Sequence, residues 1–114
     1  MGKSERTKGH SFERWLAREF RELGYEDARR HLEYQDGEAN GYDLAGTGQI
    51  KVQAKAYKRM PNIPKAMALI EHGPDDIPMV ISKIDRKGIY ATIPWEDMKL
   101  LIKAWKIIFK DLSN

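Results

Sequence analysis

Residues 50–57, IKVQAKAY, alternate without interruption. Ile50, Val52, Ala54 and Ala56 are apolar; Lys51, Gln53, Lys55 and Tyr57 carry charge or hydrogen-bonding groups. A period of two puts the first set on one face of a β-strand and the second on the other. The strand must bury its apolar face. Its other face then carries two lysines, a glutamine and a tyrosine, an unusual payload against anything apolar. The chain therefore has to build a sheet around a strand that is apolar on one side and cationic on the other.

The flanking sequence supplies the remaining elements. Residues 1–10 (MGKSERTKGH) are polar and read as a flexible basic lead, with a folded unit over residues 11–114. Ser11 is a candidate cap for a helix that runs to about Leu23 and is closed by Gly24. Its Phe12, Trp15, Leu16, Phe20 and Leu23 form one stripe, with Arg14, Arg18 and Arg21 mostly opposite. A short strand is expected within YEDARRHLEY, a polar loop at DGEANG, and a brief strand at YDLAG before the turn at Gly46–Gly48. Further on come a helix from near Pro64 to near Gly73, strands at PMVISKI and GIYATIP, and a helix over Trp95–Phe109. This order predicts an α/β domain with a central mixed β-sheet flanked by helices.

At 114 residues the chain suits one domain. It has no cysteine, which excludes disulfides, zinc–thiolate sites and cysteine nucleophiles. That fits a reducing cytoplasm. No apolar run approaches the ~20 residues of a membrane span, and no signal-peptide pattern opens the chain. The formal charge is +3, and its distribution is uneven. Lys3, Arg6, Lys8, Arg14, Arg18 and Arg21 crowd the start; Lys51, Lys55, Lys58 and Arg59 form a second group. Such groups suit a polyanion, and they also suit a solvated surface.

Asp43 is the first candidate for chemistry. The short turn at Gly46–Gly48 brings YDLAG beside IKVQAKAY, so Asp43 can approach the face bearing Gln53 and Lys55. A carboxylate and an amide oxygen are hard ligands suited to Mg²⁺, and the Ala54 backbone carbonyl between them is a further one. On the first helix, Glu13 lies at the edge of the apolar stripe and Glu19 nearer its centre. Spacing leaves the two equal as a second carboxylate, and either can instead pair with a neighbouring arginine. Lys55 shares a face with Gln53; Lys51 lies further back and suits phosphate contact. A metal ion, carboxylates and an adjacent lysine together provide the means to hydrolyse a phosphodiester.

Four stretches carry a family resemblance: KGHSFERWLAREFRELGY, the ARR that follows, YDLAGTG and IKVQAKAY. They resemble the PD-(D/E)xK nuclease superfamily, and within it the archaeal-type Holliday junction resolvases and related phage proteins. The resemblance covers residues 8–57 well and the remainder more loosely. It implies a restriction-endonuclease-like fold and a DNA endonuclease dependent on Mg²⁺ or Mn²⁺, with a part in recombination and repair. It places the helical glutamate on Glu13, the aspartate on Asp43 and the catalytic lysine on Lys55. Two positions depart from the family pattern: Tyr42 replaces the usual proline, and Gln53 replaces the usual acidic residue, which removes one negative charge.

On this reading Glu13, Asp43, Gln53 and the Ala54 carbonyl hold the metal, and Lys55 acts on the attacking water. Lys8, Arg14, Arg18, Arg29, Arg30, Lys51, Lys58 and Arg59 bind DNA phosphates. The resemblance also implies a branched or double-stranded DNA substrate and a homodimer. The setting is the cytoplasm of a bacterial, archaeal or phage-infected cell. Met60–Ile70 and Trp95–Phe109 offer apolar surface for a dimer, side by side or through helices, and the same surface can belong to the core. His10 and His31 are secondary candidates for DNA contact or base chemistry, and His72 for helix capping. Asp36 and Glu38 in the loop are candidates to replace the charge missing at Gln53. Three other functions use the same features: a nicking or restriction-type nuclease, a non-catalytic DNA-binding accessory, and a basic RNA-binding domain using Tyr34, Tyr42 and Tyr57.

Overall fold

A computed structural model describes the backbone over residues 2–32 and 41–113, and side chains over 8–32 and 41–110. The expected loop carrying Asp36 and Glu38, and Tyr34 before it, lie outside the described residues. In chain order the elements are α1 (Gly2–Glu22), β1 (Arg29–Arg30), β2 (Leu44–Ala45), β3 (Ile50–Tyr57), α2 (Ile63–Ala68), β4 (Ile77–Ile84), β5 (Gly88–Thr92) and α3 (Trp95–Ser113).

β3 runs parallel to β4, with Ile50 opposite Ile77 and Tyr57 opposite Ile84. β5 returns antiparallel to β4. β1 and β2 form a separate antiparallel ladder. A backbone bond ties that ladder to the larger sheet: the Asp43 N–H donates to the Val52 carbonyl at 2.7 Å. The sheet is mixed, as the order of elements predicts, and helices flank it.

Each face of the sheet meets a different helix. Phe12, Leu16, Ala17 and Phe20 of α1 pack with Ala28, Leu44, Val52 and Ile81. Ala66 of α2 and Ile70 just beyond it pack with Val80, joined by Tyr42, Ile63 and Met67. Register puts Gln53 beside Val80, so the polar face of β3 is covered at its middle. Gln53 and Ser82 are buried there. The expectation of one buried and one polar face therefore holds only toward the ends of β3.

α1 begins at Gly2, not at Ser11. The expected lead over residues 1–10 is helical from Gly2 onward, and Ser11 sits inside the helix. A serine or glycine within a helix costs only about 1 kcal/mol or less. Here α1 is held by the apolar contacts that follow and by Lys8, whose Nζ meets Asp85 Oδ1 at 2.6 Å. The far end stops as the sequence predicts. Gly24 adopts φ 108°; its N–H donates to Arg21 O, and the Tyr25 N–H donates to Phe20 O. The Phe20 and Tyr25 rings meet at 5.8 Å, completing a Schellman-type stop.

α2 is shorter than expected and ends at Ala68. Asn62 caps it by accepting from the Lys65 N–H at 3.1 Å. α3 is longer than expected, and its apolar face is exposed rather than buried. Among the described residues, no helix is long and apolar enough to cross a membrane.

The β2–β3 turn brings Gly46 against the Asp27 carbonyl. Gly46 has φ 76°, and a β-carbon there would sit 2.2 Å from that oxygen. Gly46→Ala is expected to lower stability in urea unfolding by ~2 kcal/mol or more, from the left-handed backbone and the clash together. An unchanged midpoint would show that the turn relaxes freely.

Candidate active site

Asp43 stands where β1, β2 and β3 converge. Its carbonyl accepts from the His31 N–H at 2.8 Å, and its N–H donates to Val52 O. Its carboxylate turns to the edge of β3, where Oδ2 accepts from the Ala54 N–H at 2.7 Å. Burial raises the Asp43 pKa to about 6, and the negative charge of Glu13 raises it further. The Ala54 amide bond, the Lys55 charge and a hydrogen bond from Gln53 oppose the rise. Asp43, Glu13, Lys55 and Gln53 thus form one electrostatic unit. Of the two helical carboxylates considered, Glu13 is the one whose charge acts on Asp43.

Glu13 is held by Arg30, whose Nε meets Glu13 Oε1 at 3.0 Å with both side chains mostly buried. It opens onto a concavity of about 540 Å³ lined also by Lys8, His10, Ala56, Tyr57 and Lys58. Lys55 opens onto a second concavity, about 280 Å³, between β3 and α2, with Tyr57, Asn62 and Lys65. Tyr57 lines both, so the end of β3 divides them. Asp43, at the strand edge, feels groups from either side. Lys55 Nζ lies 5.8 Å from the Tyr57 ring centre.

Gln53 is tied down. Its Nε2 donates to Gly41 O at 2.8 Å, and its Oε1 is buried with no hydrogen-bond partner among the described residues. The carbonyl of Gln49 accepts from the Ile77 N–H of β4, and that of Tyr57 from the Asp85 N–H just past its end. Strand alternation therefore turns the Ala54 carbonyl, like its N–H, toward the Asp43 edge. The donors available are oxygens: two carboxylates, a buried amide oxygen without a partner, and a backbone carbonyl. Such a set fits a hard divalent cation, which needs few protein ligands. Among the described residues, no three His, Asp or Glu side chains converge as a metal cluster.

These residues lie within the segment that a family comparison recognises. The family model Mrr_cat, described as restriction endonuclease, matches residues 4–72, well over half of the chain. The chain belongs to that family. Comparison with curated proteins and with solved structures finds no match. The Mrr_cat match spans α1 to just past α2, so Glu13, Asp43, Gln53 and Lys55 fall inside it. β4, β5 and α3 lie beyond it. The domain is thus a PD-(D/E)xK-like restriction-endonuclease domain.

The basic residues of the Mrr_cat domain are distributed unevenly. Arg14, Arg18, Arg21, Arg29 and Arg30 line a concavity of about 340 Å³ with Ala17 and Leu32. Arg21 is partly structural, since its Nη1 donates to Ala28 O at 2.7 Å. Arg30 serves Glu13 and Lys8 serves Asp85, so both carry partners within the fold. Lys51 donates to Gly48 O at 3.1 Å and sits 5.4 Å from the Tyr42 ring centre, away from Lys55. Lys58 lines the Glu13 concavity, and Arg59 is exposed beyond it. His31 packs its ring on Tyr42, and His72 Nδ1 lies 3.2 Å from Gly73 O. Sequence reasoning missed Asn62 and Lys65 beside Lys55. Their signal was the helix start at NIPK, which faces α2 toward the strand.

Asp43→Asn keeps an acceptor for the Ala54 amide and removes the charge that burial penalises. The Asp43 pKa is raised from 3.8 to about 6, so the folded state binds this proton more tightly than the unfolded state does. The penalty is absent below about pH 4, grows as pH rises to about 6, and is constant above that. The variant is expected to be more stable than the parent near neutral pH by ~1–3 kcal/mol. The gap should close toward pH 4. Parallel urea curves at the two pH values check this, and equal stability at both would mean the carboxylate is well solvated.

Proposed function

We propose that this domain is a divalent-cation-dependent DNA endonuclease that acts on branched DNA, four-way junctions foremost. The observation that carries the reading is the electrostatic coupling of Asp43 to both Glu13 and Lys55 within a restriction-endonuclease family domain. Glu13, Asp43, the Gln53 amide oxygen and the Ala54 carbonyl would hold Mg²⁺ or Mn²⁺. When bound, the cation neutralises charge on the scissile phosphate and makes a water more acidic. Lys55 orients the attacking water and stabilises the charge that builds on the phosphate oxygens. Asp43 must be ionised to bind a cation, so activity falls as pH drops through about 6.

Two basic concavities meet at the Arg30–Glu13 pair, one lined by arginines and one by Lys8, His10 and Lys58. They can hold two backbone segments at once, which suits a branch. Their contacts are to phosphate and so position DNA without reading sequence. A homodimer carries two such sites and can cut two strands in a paired manner.

A labelled four-way junction and a matched linear duplex, incubated with Mg²⁺, Mn²⁺ or EDTA, test the reading. The expected result is paired, symmetric cutting of the junction alone, lost in EDTA and reduced about 10²-fold or more in Lys55→Ala. Equal cutting of both substrates would replace it with an unselective or nicking nuclease. Tight binding without cutting under either metal would make Gln53 the mark of a DNA-binding accessory. In a separate measurement, the Arg14→Ala and Arg18→Ala pair is expected to weaken binding to all sequences alike and to reduce the salt dependence by about two phosphate contacts. An unchanged salt slope would remove the arginine concavity from the DNA surface.

A further inference from the structure

The end of β3 presents one aromatic ring between two concavities. Tyr57 lines both the wider one, about 540 Å³, and the narrower one, about 280 Å³. No other phenylalanine, tyrosine or tryptophan lines either of them, nor the arginine concavity. Among the described residues, the other tyrosines have an occupied ring or hydroxyl. Tyr25 packs on Phe20, Tyr42 packs on His31, and the Tyr90 hydroxyl donates to Lys87 O. Tyr57 stays 47% exposed, with Lys55 Nζ 5.8 Å from its ring centre. Its place is fixed through the backbone. Register sets Tyr57 opposite Ile84, and its carbonyl accepts from the Asp85 N–H at 3.1 Å. Ala56 beside it packs against the core under α1. A tyrosine on such a strand end has only two side-chain torsions to order when it meets a partner.

We infer that Tyr57 determines specificity for branched DNA, its ring taking the exposed face of a nucleobase at the branch point. The inference rests on the DNA reading proposed above and names the side chain that tells one form of DNA from another. Lysines flank the ring on both sides. Lys55 and Lys65 line one concavity with it, and Lys58 and the Asp85-bound Lys8 line the other. Such charges hold phosphate, which every duplex offers alike. They draw DNA in without telling a branch from a continuous helix. A ring makes that distinction. Inside a continuous duplex each base is covered on both faces, whereas an interrupted stack lets a base turn out at lower cost. An aromatic side chain accepts that face whatever the base, because every base has one. The wider concavity is of a size that holds a small organic molecule, and its one carboxylate, Glu13, is ion-paired to Arg30. Tyr57 stands two residues along β3 from Lys55. A base held on its ring therefore sets the branch beside the lysine assigned to the attacking water.

Binding in EDTA, where no cleavage intervenes, tests this on a four-way junction and a matched linear duplex. Tyr57→Leu is expected to weaken junction binding about 5- to 150-fold and to leave duplex binding unchanged. Tyr57→Phe keeps the ring and should bind like the parent. Stacking releases no counterions, so the dependence of affinity on salt should be the same in all three. A second measurement needs no variant. Iododeoxyuridine placed at the branch and irradiated should cross-link to Tyr57 of the parent chain, and the same nucleotide inside the linear duplex should not. Equal losses on junction and duplex, a shallower salt dependence in Tyr57→Leu, or a cross-link to another residue would overturn the inference. A parent that cross-links through Tyr57 yet cuts nothing under Mg²⁺ or Mn²⁺ would sink the nuclease reading and leave this one standing. Junction cutting undiminished in Tyr57→Leu would do the reverse. Stronger cross-linking of Tyr57 to single-stranded RNA than to either DNA would overturn the inference in favour of an RNA partner.

Discussion

Asp43 makes three backbone-directed hydrogen bonds in three directions, and the domain's layout follows from them. Its N–H and carbonyl join the β1–β2 ladder to β3, while its carboxylate accepts from the Ala54 amide. A charged group half removed from water normally loses its charge or finds partners. Here the partners are an amide, a lysine and the Gln53 side chain, and they restrain the rise without cancelling it. The result is a carboxylate close to the point of protonation, placed between α1 and β3. Residues from both elements can act on it because it occupies the strand edge rather than either face.

The cationic surface is less free than a count of lysines and arginines suggests. Lys8 fastens α1 to Asp85 at the end of β4, Arg21 supports the Ala28 carbonyl, and Arg30 holds Glu13. These groups do structural work first, and the arginine concavity forms around them. Arg30 has a double position: it lines the basic groove and neutralises a carboxylate of the candidate site. Groove and site are therefore adjacent through one partly buried ion pair.

Much of this was legible in the sequence, for identifiable reasons. The alternation of IKVQAKAY fixed β3 because period-two patterns have few other solutions. Gly24 announced the end of α1 because the Schellman stop needs a left-handed residue. The Glu13–Asp43 proximity was readable only through family resemblance, since spacing left Glu19 equal. The start of α1 was missed because Ser11 is a permissive signal, and helix initiation at Gly2 rests on later contacts and on Lys8. The burial of Gln53 was missed because alternation assigns a face but does not say what lands on it. That covering comes from α2, docked by a parallel crossover that no local pattern reveals. The α3 stripe was read correctly as apolar, but apolarity does not say whether the cover is the chain's own core.

The link between the β1–β2 ladder and the main sheet has a dynamic consequence. Through Asp43 N–H and Val52 O, sheet continuity and site geometry share the same atoms. Leu44 of β2 is itself part of the core cluster under α1, and Tyr42 borders the cluster under α2. A local opening that parts β2 from β3 would therefore dismantle the site and uncover part of the core together, at a free energy drawn toward that of global unfolding. Competence and foldedness are coupled in this domain, because the segment that carries Asp43 also carries a core side chain.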